Sequence, residues 1–381
     1  MTDKQTVKFG DICKEVKLTT KDPIGDGYER YIGLEHLDSG SLKIKRWGMI
    51  ADDSPSFTRV FKKGQILFGK RRPYLKKAAI AEFDGICSGD IIVLEAKDIV
   101  EYSDILPFII QSDVLWEWAI KTSSGSLSPR TKFNELKSCE ITIPKDSSRK
   151  QSFLNLMRRV IETLSCSEEA LDDAYRLYSV LGVKQFKIAK SSIPLEKLCL
   201  KIQDGTHYSP KNISDSGDFQ YVTSKNIRMG RMEILKKEYI SKEEHRKIYS
   251  RCDTVKGDIL LTKDGANTGN ICLNEVDEEI SLLSSVAFIR VDPDKVARDF
   301  IYHWLMSSLM QREISSQMAG NAITRLTLKK IKAFKIPNCS LSQQEQIGYV
   351  MNEALANIEL LKNKVEDLKL LKRVMVSKEI N

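Results

Sequence analysis

Between residues 147 and 187, apolar or small side chains recur in alternating steps of four and three: Phe153, Met157, Val160, Leu164, Ser167, Leu171, Ala174, Tyr178 and Leu181. This is a heptad seam, uninterrupted by proline, and it predicts one long helix. The same seam returns 194 residues later at Ile347, Met351, Ala354, Ile358, Leu361, Val365, Leu368, Lys372 and Met375, with Lys372 its one charged position. At 1.5 Å per residue, each helix of about 40 residues is about 60 Å long. Neither helix can bury its seam alone, so the simplest arrangement pairs the two as an antiparallel coiled coil. The competing arrangement packs each on its own globular domain.

The rest of the chain is mixed, and it repeats. Tyr31–Leu34 reads as a strand, Gly40-Ser41 as a turn, and Lys63–Phe68 as a turn running into a strand. Ile91–Leu94 is a continuous apolar run suited to a buried strand, Asp104–Thr122 has helical spacing, and Ile141–Pro144 closes the segment. The second half answers in the same order: Tyr221–Ser224, Lys256–Leu261, Val286–Ile289, Asp299–Gln317 and Lys335–Pro337. The offset drifts only between 186 and 196, which is a domain duplication and not a solenoid period. The expected fold class is therefore α+β. Duplicated mixed domains at 1–146 and 191–339 are separated by long helices at 147–190 and 340–381.

Composition narrows this little. The 381 residues suffice for two or three domains, and 41% hydrophobic content is ordinary for a globular protein. No apolar run approaches the 18 or more residues of a membrane span, and the first ten residues are charged where a signal peptide is apolar. The expectation is a cytoplasmic protein without a membrane partner. Eight cysteines, no two within 19 positions of each other, exclude CxxC pairs and suit a reducing compartment. The 60 Lys and Arg against 52 Asp and Glu leave a net charge of +8, compatible with a nucleic-acid partner but weak by itself.

Catalytic constellations are missing: no GxxxxGK[ST], GxGxxG, GxSxG or HExxH occurs, nor the Asn-Pro-Pro-Tyr of amino-methyltransferases. Four single histidines make no metal cluster, so neither a metal nor a cofactor is expected in the chain. Asp84 followed by Glu95-Ala96-Lys97 imitates a metal-dependent nuclease core. The second repeat, however, has Arg290-Val291-Asp292 at that place.

Binding chemistry concentrates in loops. Lys70-Arg71-Arg72-Pro73-Tyr74-Leu75-Lys76-Lys77 places five cations and one aromatic in eight residues. Such cations neutralise phosphates, and an arginine fork reads guanine; the bland alternative is a solvated edge loop. Ser128 and Arg130 lie in a small-residue loop beyond Gly125. The second repeat substitutes Lys263 to Gly269, poorer in charge and richer in amides and hydroxyls, and keeps Thr324 and Arg325 in the hydroxyl loop. The DNA-binding candidates are Lys70, Arg71, Arg72, Tyr74, Lys76, Ser128 and Arg130 in the first repeat. In the second they are Thr206, His207, Tyr208, Lys225, Asn226, Lys263, Asn267, Thr324 and Arg325, with a loop-bracing role for His207 as the alternative.

Cys87-Ser88-Gly89-Asp90, Asp204-Gly205-Thr206-His207-Tyr208-Ser209-Pro210, Gly257–Thr262 and Gln344-Glu345-Gln346-Ile347, in this order around two long helices, resemble the DNA-specificity subunits of type I restriction-modification enzymes. The first half carries Thr20–Gly25 in place of Asp-Gly-Thr-His, as in a different recognition subclass. The resemblance implies a non-catalytic subunit whose two target-recognition domains each read half of a split sequence on double-stranded DNA. The helices would then act as a ruler for a gap of about 34 Å, one turn of DNA. It implies two methyltransferase subunits as partners, which carry S-adenosylmethionine and flip out adenine, and allows a restriction/translocase subunit. A stand-alone DNA-binding regulator and a coiled-coil scaffold that binds no DNA are the rival readings.

Overall fold

The computed structural model of the chain describes residues 4–97, 100–187, 189, 191–233, 237–318 and 325–381. It divides into two compact units, residues 1–167 with 364–381, and residues 168–363.

In the first unit the strand Lys4–Lys8 pairs antiparallel with Glu140–Pro144. A four-stranded antiparallel sheet follows, in the order Cys13–Val16, Ile91–Ala96, Ile66–Gly69, Ala78–Ile80. A second sheet orders Gly48–Met49, Arg30–Ile32, Gly85–Cys87 and Arg59–Phe61 around one parallel pairing, Tyr31 opposite Ile86. Strand Ile91–Ala96 is buried over its first four residues, as its unbroken apolar run requires. Phe68 stacks on Trp116 at 4.2 Å, and both are fully enclosed with Leu94, Ile109 and Leu115.

The second unit repeats the plan. Ser192–Pro194 pairs with Lys335–Pro337. The four-stranded sheet runs Cys199–Asp204, Val286–Val291, Ile259–Thr262, Ile271–Leu273. The smaller sheet runs Tyr239–Ile240, Phe219–Val222, Ile280–Leu282, again with one parallel pairing, Tyr221 opposite Ser281. Gly64 and Gly257 occupy the same turn, each at φ +90°, where a side chain would be strained.

One expectation is corrected in both copies. Asp104–Thr122 and Asp299–Gln317 are each two helices, Leu106–Ile110 with Asp113–Lys121 and Arg298–Met306 with Ser308–Met318. Apolar spacing continues across the break, but a serine ends the run. Ser112 Oγ accepts from Leu115 N, and Ser307 Oγ from Met310 N, at 3.4 and 3.3 Å. A serine that caps offers the backbone an alternative to helix continuation.

The seams form the predicted helices, Ser147–Phe186 and Leu341–Glu379. Every seam position in both is buried or half-buried. The first helix contributes Phe153, Leu154 and Met157 to the first unit's core, beside Val376 and Ile380 from the end of the second helix and its surroundings. There Arg149 forms a two-pronged ion pair with Glu379, at 2.9 and 3.1 Å. In the second unit Tyr178, Leu181 and Phe186 pack with Ile347, Met351 and Leu355. The start of one helix thus meets the end of the other, the sense of an antiparallel pair. Ile358, Val365, Leu361 and Leu368 continue the seam, as do Val160, Leu164 and Leu171. Among the described residues no helix is long and apolar enough to cross a membrane.

Candidate nucleic-acid interface

In each unit one knuckle of backbone joins the two candidate loops. After strand Ile66–Gly69, Lys70 N donates to Asp90 O at 2.9 Å and Lys70 O accepts from Thr131 N at 3.0 Å. Arg72 N donates to Pro129 O at 2.7 Å, so the basic loop and the loop from Gly125 are zipped together. After strand Ile259–Thr262 the two Lys70 bonds have counterparts: Lys263 N to Ser285 O at 2.8 Å, and Leu326 N to Lys263 O at 2.7 Å. Lys70 and Lys263 therefore occupy one structural position, as do Arg71 and Asp264, Asp90 and Ser285, and Arg130 and Arg325.

The first knuckle is a cationic cluster around one carboxylate. Arg130 donates to Asp90 through Nε at 2.8 Å and Nη2 at 3.3 Å. Arg71 reaches the same carboxylate at 3.5 Å and Ser128 Oγ at 3.2 Å. The hydrogen bond from Arg130 holds Asp90 below the usual carboxylate range, while burial lowers Lys70. Arg72, at φ +53°, and Tyr74 stand exposed at the turn, and Leu127 of the other loop is 90% exposed. Exposed cations with an aromatic suit an anionic, stackable partner. Lys76 is turned away from this use: its Nζ is 2.6 Å from Asp113, which also accepts from Arg373 of the second long helix at 3.1 Å.

The second knuckle differs in chemistry. Lys263, a DNA-binding candidate in the sequence, is buried: it is 1% exposed and its Nζ lies 2.7 Å from Asp264 and 3.5 Å from Asp204. A buried ammonium needs such partners, and leaving them to meet DNA would strand two carboxylates. Asp204, itself 3% exposed, accepts from Arg251 at 3.1 Å and lies 3.4 Å from His207 Nε2. His207 and Tyr208 are exposed, and Arg325 points outward 3.2 Å from Asp264.

Thr206 and Asn226 are buried too, with their polar groups engaged on the backbone. Thr206 Oγ1 accepts from Tyr208 N at 3.3 Å, and Asn226 Oδ1 from Thr223 N at 2.9 Å. The glycine before Thr206 has a steric cause, because a Cβ on Gly205 would collide with the Leu282 carbonyl. Asn267 Nδ2 donates to Ser224 O at 3.1 Å, beside exposed Lys225. Thr324 lies outside the described residues.

Sequence reasoning left the carboxylates out of the candidate site. Asp90, Asp204 and Asp264 organise it, and their signal was only that acids stood among cations. It also passed over Arg30, held between Trp47 and Phe83 at 4.8 and 4.9 Å from the ring centres. The nuclease-like pair is occupied structurally: Asp84 with Lys62 at 2.9 Å and Lys63 N at 2.8 Å, Glu95 with Lys14 at 2.9 Å and Gln65 at 2.8 Å. All eight cysteines are free, and burial pushes the Cys13 and Cys87 thiols up to about 12, away from thiolate chemistry.

Comparison with known proteins shows what the chain is similar to. The profile of the type I restriction modification DNA specificity domain matches residues 194–370. The Escherichia coli type I restriction enzyme EcoDI specificity subunit is 27% identical over 135 residues, 35% of this chain and 29% of that protein. The aligned segment therefore spans under a third of that relative. The Methanocaldococcus jannaschii MjaVIII specificity subunit is 21% identical over 98% of this chain and 91% of its own. In fold, the type I S subunit from M. genitalium covers 99% of this chain and 96% of its own with a TM-score of 0.61 at 15% identity. A chain from a structural study of type I complex assembly and conformational transition covers 99% and 97%, with a TM-score of 0.57 at 17% identity. Residues 194–370 thus match the type I DNA specificity domain, and the whole chain shares the fold of the type I specificity subunits.

Proposed function

We propose that the chain is the DNA-binding specificity subunit of a type I restriction-modification complex. Residues 1–146 and 191–339 are its two target-recognition domains, and the helical segments 147–190 and 340–381 are the spacers that fix the gap between the half-sites. One scaffold carrying two different sets of loop residues supports this reading best. Arg71 and Tyr74 in the first knuckle correspond in place to Asp264 and Asn267 in the second, as suits two readers of different short sequences. The exposed cations supply sequence-independent affinity and register, and arginine edges supply discrimination. The chain brings specificity and assembly, and two methyltransferase subunits bring S-adenosylmethionine and the chemistry. The same assembly leaves open whether a restriction/translocase subunit joins it.

The test is deletion of the gene, or its co-expression with an adenine methyltransferase partner, followed by methylome sequencing. The expected result is a split, asymmetric adenine-methylated motif that disappears on deletion. An unchanged methylome, with sequence-specific binding by the chain alone, would instead make it a regulator. Absence of salt-dependent DNA binding would leave a scaffold.

A further inference from the structure

The two knuckles share one pair whose parts come from different places. Arg130 and Arg325 occupy equivalent positions, each next to a residue whose N–H closes the knuckle onto Lys70 or Lys263. Each arginine faces a carboxylate. In the first unit this is Asp90, at the start of the long buried strand; in the second it is Asp264, at the position of Arg71. The position of Asp90 is held in the second unit by Ser285. The carboxylate has moved between the repeats, from just before one strand to just after another, while the pair has stayed. Resting on the specificity reading above, we propose that Asp90 and Asp264 are positioning residues that aim the Arg130 and Arg325 guanidinium groups at bases in their respective half-sites.

Exposure and geometry carry this. The arginine side chains are 46% and 57% exposed, while their acids are 21% and 25% exposed. One edge of each planar fork therefore faces protein and the other faces solvent. Asp90 holds Arg130 by two hydrogen bonds, which fixes the plane of the fork. A fork fixed in advance loses less freedom on meeting the O6 and N7 of guanine. Asp264 is itself fixed by buried Lys263 through its other oxygen, at 2.7 Å. Its first oxygen lies 3.2 Å from Arg325 Nε, an ion pair without the two-bond geometry that Asp90 gives Arg130. Around the first pair, Arg71 and Lys70 add charge and Ser128 adds a hydroxyl. The acids also offset the arginines' charge, so that a base edge competes better with any phosphate.

The experiment measures binding and methylation by the reconstituted complex on a panel of duplexes in which each half-site base is changed singly. Asp90→Asn should lower discrimination at one base of one half-site by about tenfold or more, with binding to unrelated DNA equal or stronger. Asp264→Asn should do the same in the other half-site only. Arg130→Lys, which keeps charge but loses the fork, should reproduce Asp90→Asn, and Asp90→Glu should restore part of the discrimination. A uniform loss across all sequences with discrimination intact would overturn the proposal and make the acids structural. Absence of sequence preference in the wild-type complex would instead overturn the specificity reading itself.

Discussion

Arg290→Ala isolates one buried ion pair in the second unit. Arg290 donates to Asp258 through Nε at 3.0 Å and Nη2 at 2.8 Å, and Asp258 is 3% exposed. The same guanidinium reaches Asp253 at 3.2 Å and its carbonyl at 2.6 Å. Asp258 in turn accepts from Val255 N at 2.9 Å, closing the turn that contains Gly257. Removing the arginine strands a buried carboxylate, a change that costs about 3–5 kcal/mol. The Asp253 arm adds little, since its side chain is 39% exposed and exposed pairs contribute roughly 0–1 kcal/mol. For a unit of this size the expected fall in Tm is roughly 6–20 °C. Scanning calorimetry of the full chain measures it, with hydrogen exchange in strand Val286–Val291 assigning the transition to the second unit. The double variant Asp258→Asn with Arg290→Met, which removes both charges, should recover most of the loss. A single-variant cost below about 1 kcal/mol, or a double variant as unstable as the single one, would refute the reasoning.

His303 gives a pH dependence. Tyr178 Oη donates to its Nδ1 at 2.8 Å, its Nε2 donates to Asn352 Oδ1 at 2.7 Å, and Asn352 Nδ2 donates to Asp299 at 2.8 Å. Burial holds His303 below the usual histidine range, so the unfolded chain binds the extra proton first. Stability of the second unit should be complete above about pH 6.5 and fall as pH drops toward the folded value; His303→Gln should flatten that slope in urea titrations. Met157→Ala, at a fully enclosed site, should cost the first unit about 2–5 kcal/mol in urea unfolding. Its neighbour Leu156→Ala, 51% exposed, should stay within about 0.5 kcal/mol. Gly205→Ala should cost about 1–3 kcal/mol or more by forcing Leu282 aside, read as a lower Tm.

Legibility followed range. The seams were readable because a 3.5-residue period is local and each apolar position had only to find a partner surface. The duplication was readable because strands such as Ile91–Ala96 and Val286–Val291, buried in the middle of a sheet, tolerate little but apolar residues. Ser112 and Ser307 escaped because capping competes with a helical pattern that continues on both sides. Lys263 escaped because its two carboxylates, Asp264 and Asp204, combine a neighbour with a residue 59 positions away. Asp90 meets Arg130 across 40 positions, a pairing that only the sheet brings about.

The division of both long helices between the two units has a consequence in time. The core around Phe153, Leu154 and Met157 is finished by Val376 and Ile380, so the first repeat awaits residues made about 200 positions later. At ordinary rates of synthesis that interval lasts roughly 10–40 s. Throughout it, the early half of the protein carries an uncovered apolar stripe, a window in which chaperones or aggregation compete with folding. The second unit, whose residues 168–363 form one unbroken stretch, has no such wait.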